Sequence, residues 1–122
     1  MSVLDVNAQD WEKEVLKSNT LVIVDFWHEN CPWCKILNPI FLEVSEDYKD
    51  RVKFAKLNAL LSQENRDIAI ENGVMSTPTL MFFCNGRSVG TAVGFQKKGD
   101  LTKIVNEMLE KHQECLDQST EL

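Results

Sequence analysis

Leu21–Trp27 reads Leu-Val-Ile-Val-Asp-Phe-Trp, a short run rich in β-branched and aromatic residues with one polar member, Asp25. A strand that is apolar at alternate positions has one dry face; a strand apolar at nearly every position has to be covered on both. The run therefore predicts a central strand with helices above and below it. Val52–Asn58 is a second strand of the same kind, with Lys56 as its odd member.

Helical stripes separate these runs. Asn7–Lys17 carries Trp11, Val15 and Leu16 on one stripe, with Asn7 as N-cap and Asp10 near the positive end of the dipole. From Cys34 to Tyr48 the apolar positions Leu37, Ile40, Phe41, Val44 and Tyr48 recur at steps of three and four, and Pro39 is expected to kink that helix. Ser62–Asn72 suits a short helix closed by Gly73 in the left-handed conformation. Thr79–Cys84 and Ser88–Phe95, joined by Asn85-Gly86-Arg87, form a hairpin signal, because an Asn-Gly turn twists with its strands. A last helix from Asp100 to about Lys111 aligns Leu101, Ile104, Val105, Met108 and Leu109. A further strand near Val3–Val6 is weakly signalled.

This order predicts an α/β protein with a central mixed sheet of four to five strands flanked by helices on both faces. The early strands are parallel, and the hairpin supplies the antiparallel edge. The 122 residues amount to one domain, expected over 1–112, with a polar C-terminal tail over 113–122 that frays. Nineteen acidic against thirteen basic residues, a formal charge of −6, argue against a nucleic-acid partner. No apolar stretch approaches the roughly 20 residues that span a bilayer, so no membrane partner is expected. Met1-Ser2-Val3-Leu4-Asp5 lacks a basic leader and an apolar core, which points to a cytoplasmic location.

Four cysteines stand at 31, 34, 84 and 115, too few and too uneven for a disulfide scaffold. In a reducing compartment the close pair, Cys31-Pro32-Trp33-Cys34, is redox-active or metal-binding rather than a staple. It falls between a strand and a helix, which sets Cys31 at the helix N-terminus, where free N–H groups and the dipole favour a thiolate. Cys34 lies one turn further in and is the natural resolving thiol. Pro32 costs little in a first helical turn and fixes its φ.

Val24-Asp25-Phe26-Trp27, Cys31-Pro32-Trp33-Cys34-Lys35, Pro39, Lys56-Leu57-Asn58, Ser76-Thr77-Pro78-Thr79, Asn85-Gly86 and Val93-Gly94 occur in an order that resembles the thioredoxin family over roughly residues 5–112. The resemblance implies the thioredoxin fold and a thiol–disulfide oxidoreductase that reduces protein disulfides through Cys31 as nucleophile and Cys34 as resolver. It implies that Asp25 is a buried proton acceptor, that Lys56 accompanies it, and that Thr77-Pro78 forms a cis-proline loop facing the site. Trp27, Pro32, Trp33, Thr77, Pro78 and Gly94 are the expected substrate contacts. The redox-active disulfide Cys31–Cys34 is the only cofactor implied, with no metal. The implied partners are protein disulfides and a thioredoxin reductase of unknown type, and the chain is expected to be a monomer.

The chain departs from the family in two places. Pro32-Trp33 is nearer the Pro-Tyr of glutaredoxins than the usual Gly-Pro, and His28-Glu29-Asn30 replaces a small-acidic-Trp segment before the first cysteine. A cationic His28 favours the thiolate and Glu29 opposes it. An alternative reading is therefore a glutaredoxin-like or isomerase-like, glutathione-coupled enzyme, although the paired glycines and acids that hold glutathione are missing after the hairpin. A reading from another class is a non-catalytic metal-binding or interaction module, with His112 and Cys115 completing a Cys₃His set around the close pair. Trp27 reads as core or site wall, Trp33 as an exposed ring, Cys84 as an inert sheet residue, and Cys115 as a tail thiol disfavoured as thiolate by nearby acids.

Overall fold

The computed structural model describes residues 3–116. Along the chain run β1 (Val3–Asp5), α1 (Ala8–Trp11), a π-helical turn (Glu12–Leu16), β2 (Leu21–Trp27) and α2 (Pro32–Ser45) with a 3₁₀ turn (Glu46–Tyr48). Then come β3 (Val52–Asn58), α3 (Gln63–Glu71), β4 (Thr79–Cys84), β5 (Arg87–Val93), α4 (Lys98–Lys111) and a 3₁₀ turn (Gln113–Leu116).

The strands form one five-stranded mixed sheet in the order β1-β3-β2-β4-β5. β2 lies parallel to β3, with Asp25 opposite Lys56, and antiparallel to β4, with Asp25 opposite Leu80. The weakly signalled first strand exists and pairs parallel with β3. Because side chains alternate across a strand, the two faces of β2 feed two cores. Leu21 and Ile23 pack with Leu37, Phe41, Phe82, Leu101 and Val105, beneath α2 and α4. Val22, Val24 and Phe26 pack with Trp11, Val15, Leu57, Ala69 and Phe83, beneath α1 and α3. Asp25 shares the α2/α4 face with Leu21 and Ile23 by the same alternation.

Four details differ from the expectation. The first helix is not uniformly α: after Trp11 it widens, and the Lys17 N–H donates to Glu12 O, five residues back, at 2.9 Å. The second helix starts at Pro32 rather than Cys34, with Cys31 as its N-cap. β5 stops at Val93 because Gly94 takes φ +92° and turns its N–H to Pro78 O at 2.8 Å, leaving Phe95 outside the strand. Finally, the chain does not fray from Gln113: the described residues to Leu116 form a 3₁₀ turn, and Cys115 is buried and bonded to Cys84. The left-handed Gly73 (φ +78°) and the Asn85-Gly86 turn (φ +55° and +81°) are as the sequence predicts.

Candidate active site

β2 delivers the chain at Trp27, at the same end of the sheet as Asn58 of β3, Thr79 of β4 and Val93 of β5, which pair across it. The loop His28-Glu29-Asn30 returns it to α2: Asn30 N–H donates to His28 Nδ1 at 3.2 Å and Cys31 N–H to His28 O at 3.4 Å. Cys31 then caps α2 in an extended conformation, and Pro32 occupies the first helical position, where no partner is lost. The Cys34 N–H donates to Cys31 Sγ at 3.2 Å. An orphan helix donor is thus aimed at the first sulfur, which favours its ionised form.

Cys31 and Cys34 form a disulfide with Cα atoms 5.2 Å apart. Both residues are buried, at 5% and 3% exposure. The opposite wall is the loop before β4, where the Thr77–Pro78 peptide is cis and Thr77 O lies 3.4 Å from Cys31 Sγ. Gly94 N–H ties the end of β5 to Pro78 O, so Pro78, Thr77 and Gly94 line one rim.

Asp25, Trp27, Cys34, Lys35, Asn38 and Lys56 line a small cavity of about 90 Å³ on the inner side of the disulfide. Asp25 is 1% exposed, and its Oδ1 has no hydrogen-bond partner. Burial pushes its pKa from the ordinary 3.8 up to about 7, against the opposing pull of the Lys56 charge. Among the described residues Lys56 does not close an ion pair with Asp25. Its ammonium donates to Asn38 Oδ1 at 2.5 Å and lies 4.6 Å from the centre of the Trp27 ring. Trp27 is accordingly a cavity wall, with a buried Nε1 that also lacks a partner.

Trp33 is 57% exposed, with its ring centre 5.4 Å from that of Phe95. Sequence reasoning missed Phe95 by assigning it to the strand; Gly94 immediately before it was the available signal. A broader groove beside the site is lined by His28, Leu60, Arg66, Ile70, Met75 and Thr77. Asn38 was also missed, although it lies four residues beyond Cys34 and so on the same helical face.

The Cys₃His set is not assembled. Cys115 is bonded to Cys84, and among the described residues no group of three or more His, Cys, Asp or Glu could hold a metal ion. Cys84 is consequently not the inert sheet thiol expected from its position. No helix among the described residues is long and apolar enough to cross a membrane.

A disulfide between cysteines three positions apart at the start of a helix, a cis-proline loop against it and a buried acid behind it, on a mixed sheet with helices on both faces, define a thiol–disulfide oxidoreductase. The chain matches the Thioredoxin family over residues 2–107. It is 41% identical over 105 residues to a thioredoxin of Rickettsia felis, covering 86% of this chain and 97% of that protein. It is 36% identical over 109 residues to a thioredoxin of Pyropia yezoensis (89% and 99%), and 36% over 108 to one of Acidithiobacillus ferridurans (88% and 97%). The chain belongs to the thioredoxin family, and its redox centre is the Cys31–Cys34 pair.

Proposed function

We propose that the protein reduces disulfides in other proteins by two successive exchanges, with Cys31 attacking first and Cys34 resolving. The observation that carries the assignment is the Cys34 N–H directed at Cys31 Sγ at the mouth of α2. In the reduced protein the Cys31 thiolate attacks one sulfur of the substrate disulfide and expels the other as a thiolate. Cys34 then loses its proton and attacks Cys31 Sγ, releasing the second substrate thiol and closing Cys31–Cys34. Two electrons pass to the substrate, and a thioredoxin reductase returns them.

Asp25 is the acceptor for the Cys34 proton. Both residues line the same cavity, which has room for a connecting water, and a carboxyl with pKa about 7 can take and release a proton at neutral pH. Lys56 lowers the cost of the carboxylate charge that Asp25 carries before it takes the proton. Substrate is bound in extended form against Thr77 and Pro78, with Trp27, Pro32, Trp33 and Gly94 around the sulfur. The catalytic unit is the domain 1–112, acting as a monomer in the cytoplasm, where a reductase keeps Cys31 and Cys34 as thiols.

The test is turnover of a protein disulfide coupled to a thioredoxin reductase. Cys31→Ser is expected to abolish turnover, and Cys34→Ser to accumulate a mixed disulfide visible by intact mass. Full turnover by Cys31→Ser, or substrate trapped on Cys34 rather than Cys31, would overturn the roles. Turnover that requires glutathione instead of the reductase would favour the glutathione-coupled reading.

A further inference from the structure

The second cysteine pair lies far from the site just described. Cys84 ends β4, five residues beyond Thr79, so the two are separated by roughly 17 Å of strand. Cys115 follows α4 in the terminal 3₁₀ turn. Their Cα atoms are 5.7 Å apart, and the bond joins positions 31 residues apart in sequence. Each residue is 1% exposed, and both belong to the core formed with Phe82, Leu101, Val105 and Leu109. The family match ends at residue 107, before Cys115, so the clamp draws on a segment outside the matched region.

We propose that Cys84–Cys115 is a non-catalytic disulfide that fastens the segment after α4 to the end of the sheet and stays oxidised while Cys31–Cys34 cycles. Its formation removes two electrons and two protons from the two thiols, and a low-molecular-weight disulfide such as oxidised glutathione accepts them, leaving as two thiols. Once formed, the bond resists exchange because an attacking thiolate has to reach a sulfur in line, and neither sulfur is accessible until the end of α4 opens. The loop it closes contains the β4–β5 turn, β5 and α4. The unfolded chain therefore loses much of its freedom when the bond is intact. The inference is independent of the roles assigned to Cys31 and Cys34.

The experiment combines thiol mapping with melting. The full chain, refolded with oxidised and reduced glutathione, is alkylated in denaturant before and after a brief native treatment with reductant, and the labelled cysteines are identified by peptide mass. Label on Cys31 and Cys34 alone after native reduction is the expected result. Label on Cys84 and Cys115 without any reductant would show two free buried thiols and overturn the proposal. Reduction of all four cysteines at the same rate would refute the protected clamp. In parallel, the wild type and Cys84→Ala/Cys115→Ala are melted with and without phosphine reductant. The variant's shift isolates the contribution of the catalytic pair. The wild type is expected to fall by roughly 10 °C more than the variant on reduction, with disulfide-reductase turnover of the variant within about twofold of wild type. Equal shifts in the two proteins would refute the clamp.

Discussion

Asp25 is a carboxyl placed at the centre of a core, and its replacement by Asn removes the charge while keeping the shape. In the fold Asp25 holds its proton up to about pH 7, whereas the unfolded chain releases it near 3.8. Folding therefore takes up a proton between those values, and the stability contributed by Asp25 falls as pH rises through that interval. The gap is a little over three pKa units, which at 1.36 kcal/mol each amounts to about 4 kcal/mol at pH 8. Asp25→Asn lacks this dependence. Any fixed cost of the buried amide is the same at both ends of the pH range, so the difference between the proteins isolates the carboxyl. Urea unfolding of the oxidised proteins at pH 4 and at pH 8 measures it. The variant is expected to gain about 4 kcal/mol on wild type between those pH values. A difference that stays flat across the range would refute the burial argument, and a gain of opposite sign would mean that Lys56 outweighs desolvation. The same variant is expected to release mixed disulfides roughly 10²-fold more slowly, because it cannot accept the Cys34 proton.

Lys56→Met removes the one charge that lowers the Asp25 pKa, so the pH midpoint for mixed-disulfide release should move alkaline, as read by quenched-flow mass analysis between pH 6 and 9. An unmoved midpoint would remove Lys56 from the proton path. Trp33→Ala takes an exposed ring from beside the sulfur and should lower kcat/KM for protein disulfides by roughly tenfold, about 1.4 kcal/mol, with little change for a small aromatic disulfide. Equal losses for both substrates would place the ring in the chemistry instead. Asn65 is buried and binds the Ala8 N–H, Asn7 Oδ1 and Asn58 O, which fastens α3 to the first helix and to the loop after β3. Asn65→Ala should destabilise by about 2–3 kcal/mol in urea titrations, since it strands buried polar partners. A loss under about 0.5 kcal/mol would show that solvent replaces those bonds.

The strands were legible where burial dictates composition. Leu21–Trp27 and Val52–Asn58 have the bounds expected, because apolar residues required on both faces make each run stand out from the polar segments that flank it, despite Asp25 in one and Lys53 and Lys56 in the other. The Asn85-Gly86 turn and Gly73 were legible because left-handed backbone selects those residue types. The widening of the first helix was not, since Trp11, Val15 and Leu16 satisfy an α or a π spacing over so short a stretch. Cys31-Pro32-Trp33-Cys34 could be read as a site from local spacing alone. Cys84 with Cys115 could not: four cysteines allow three pairings, and the distance between β4 and the end of α4 is a property of the folded sheet. Asn65 and Asn38 escaped notice because a polar residue on a helix is ordinarily a solvated one.

The position of the Lys56 ammonium decides what Asp25 can do. A cation closed directly onto the carboxylate would stabilise its charge and draw the pKa back toward that of an exposed acid, leaving a poor proton acceptor at neutral pH. Asn38 and the Trp27 ring hold that cation instead, at 2.5 Å and 4.6 Å. The positive charge remains near enough to oppose desolvation without cancelling it. Asn38 comes from α2, the helix that Cys31 caps and that carries Cys34, while Lys56 and Trp27 come from the neighbouring strands β3 and β2, two register positions apart. The helix that presents the sulfurs to substrate thus also contributes the partner that holds the lysine off the acid behind them. An oxidoreductase needs that acid to remain reluctant to ionise, and the unpartnered Oδ1 of Asp25 marks where the fold accepts lower stability to keep it so.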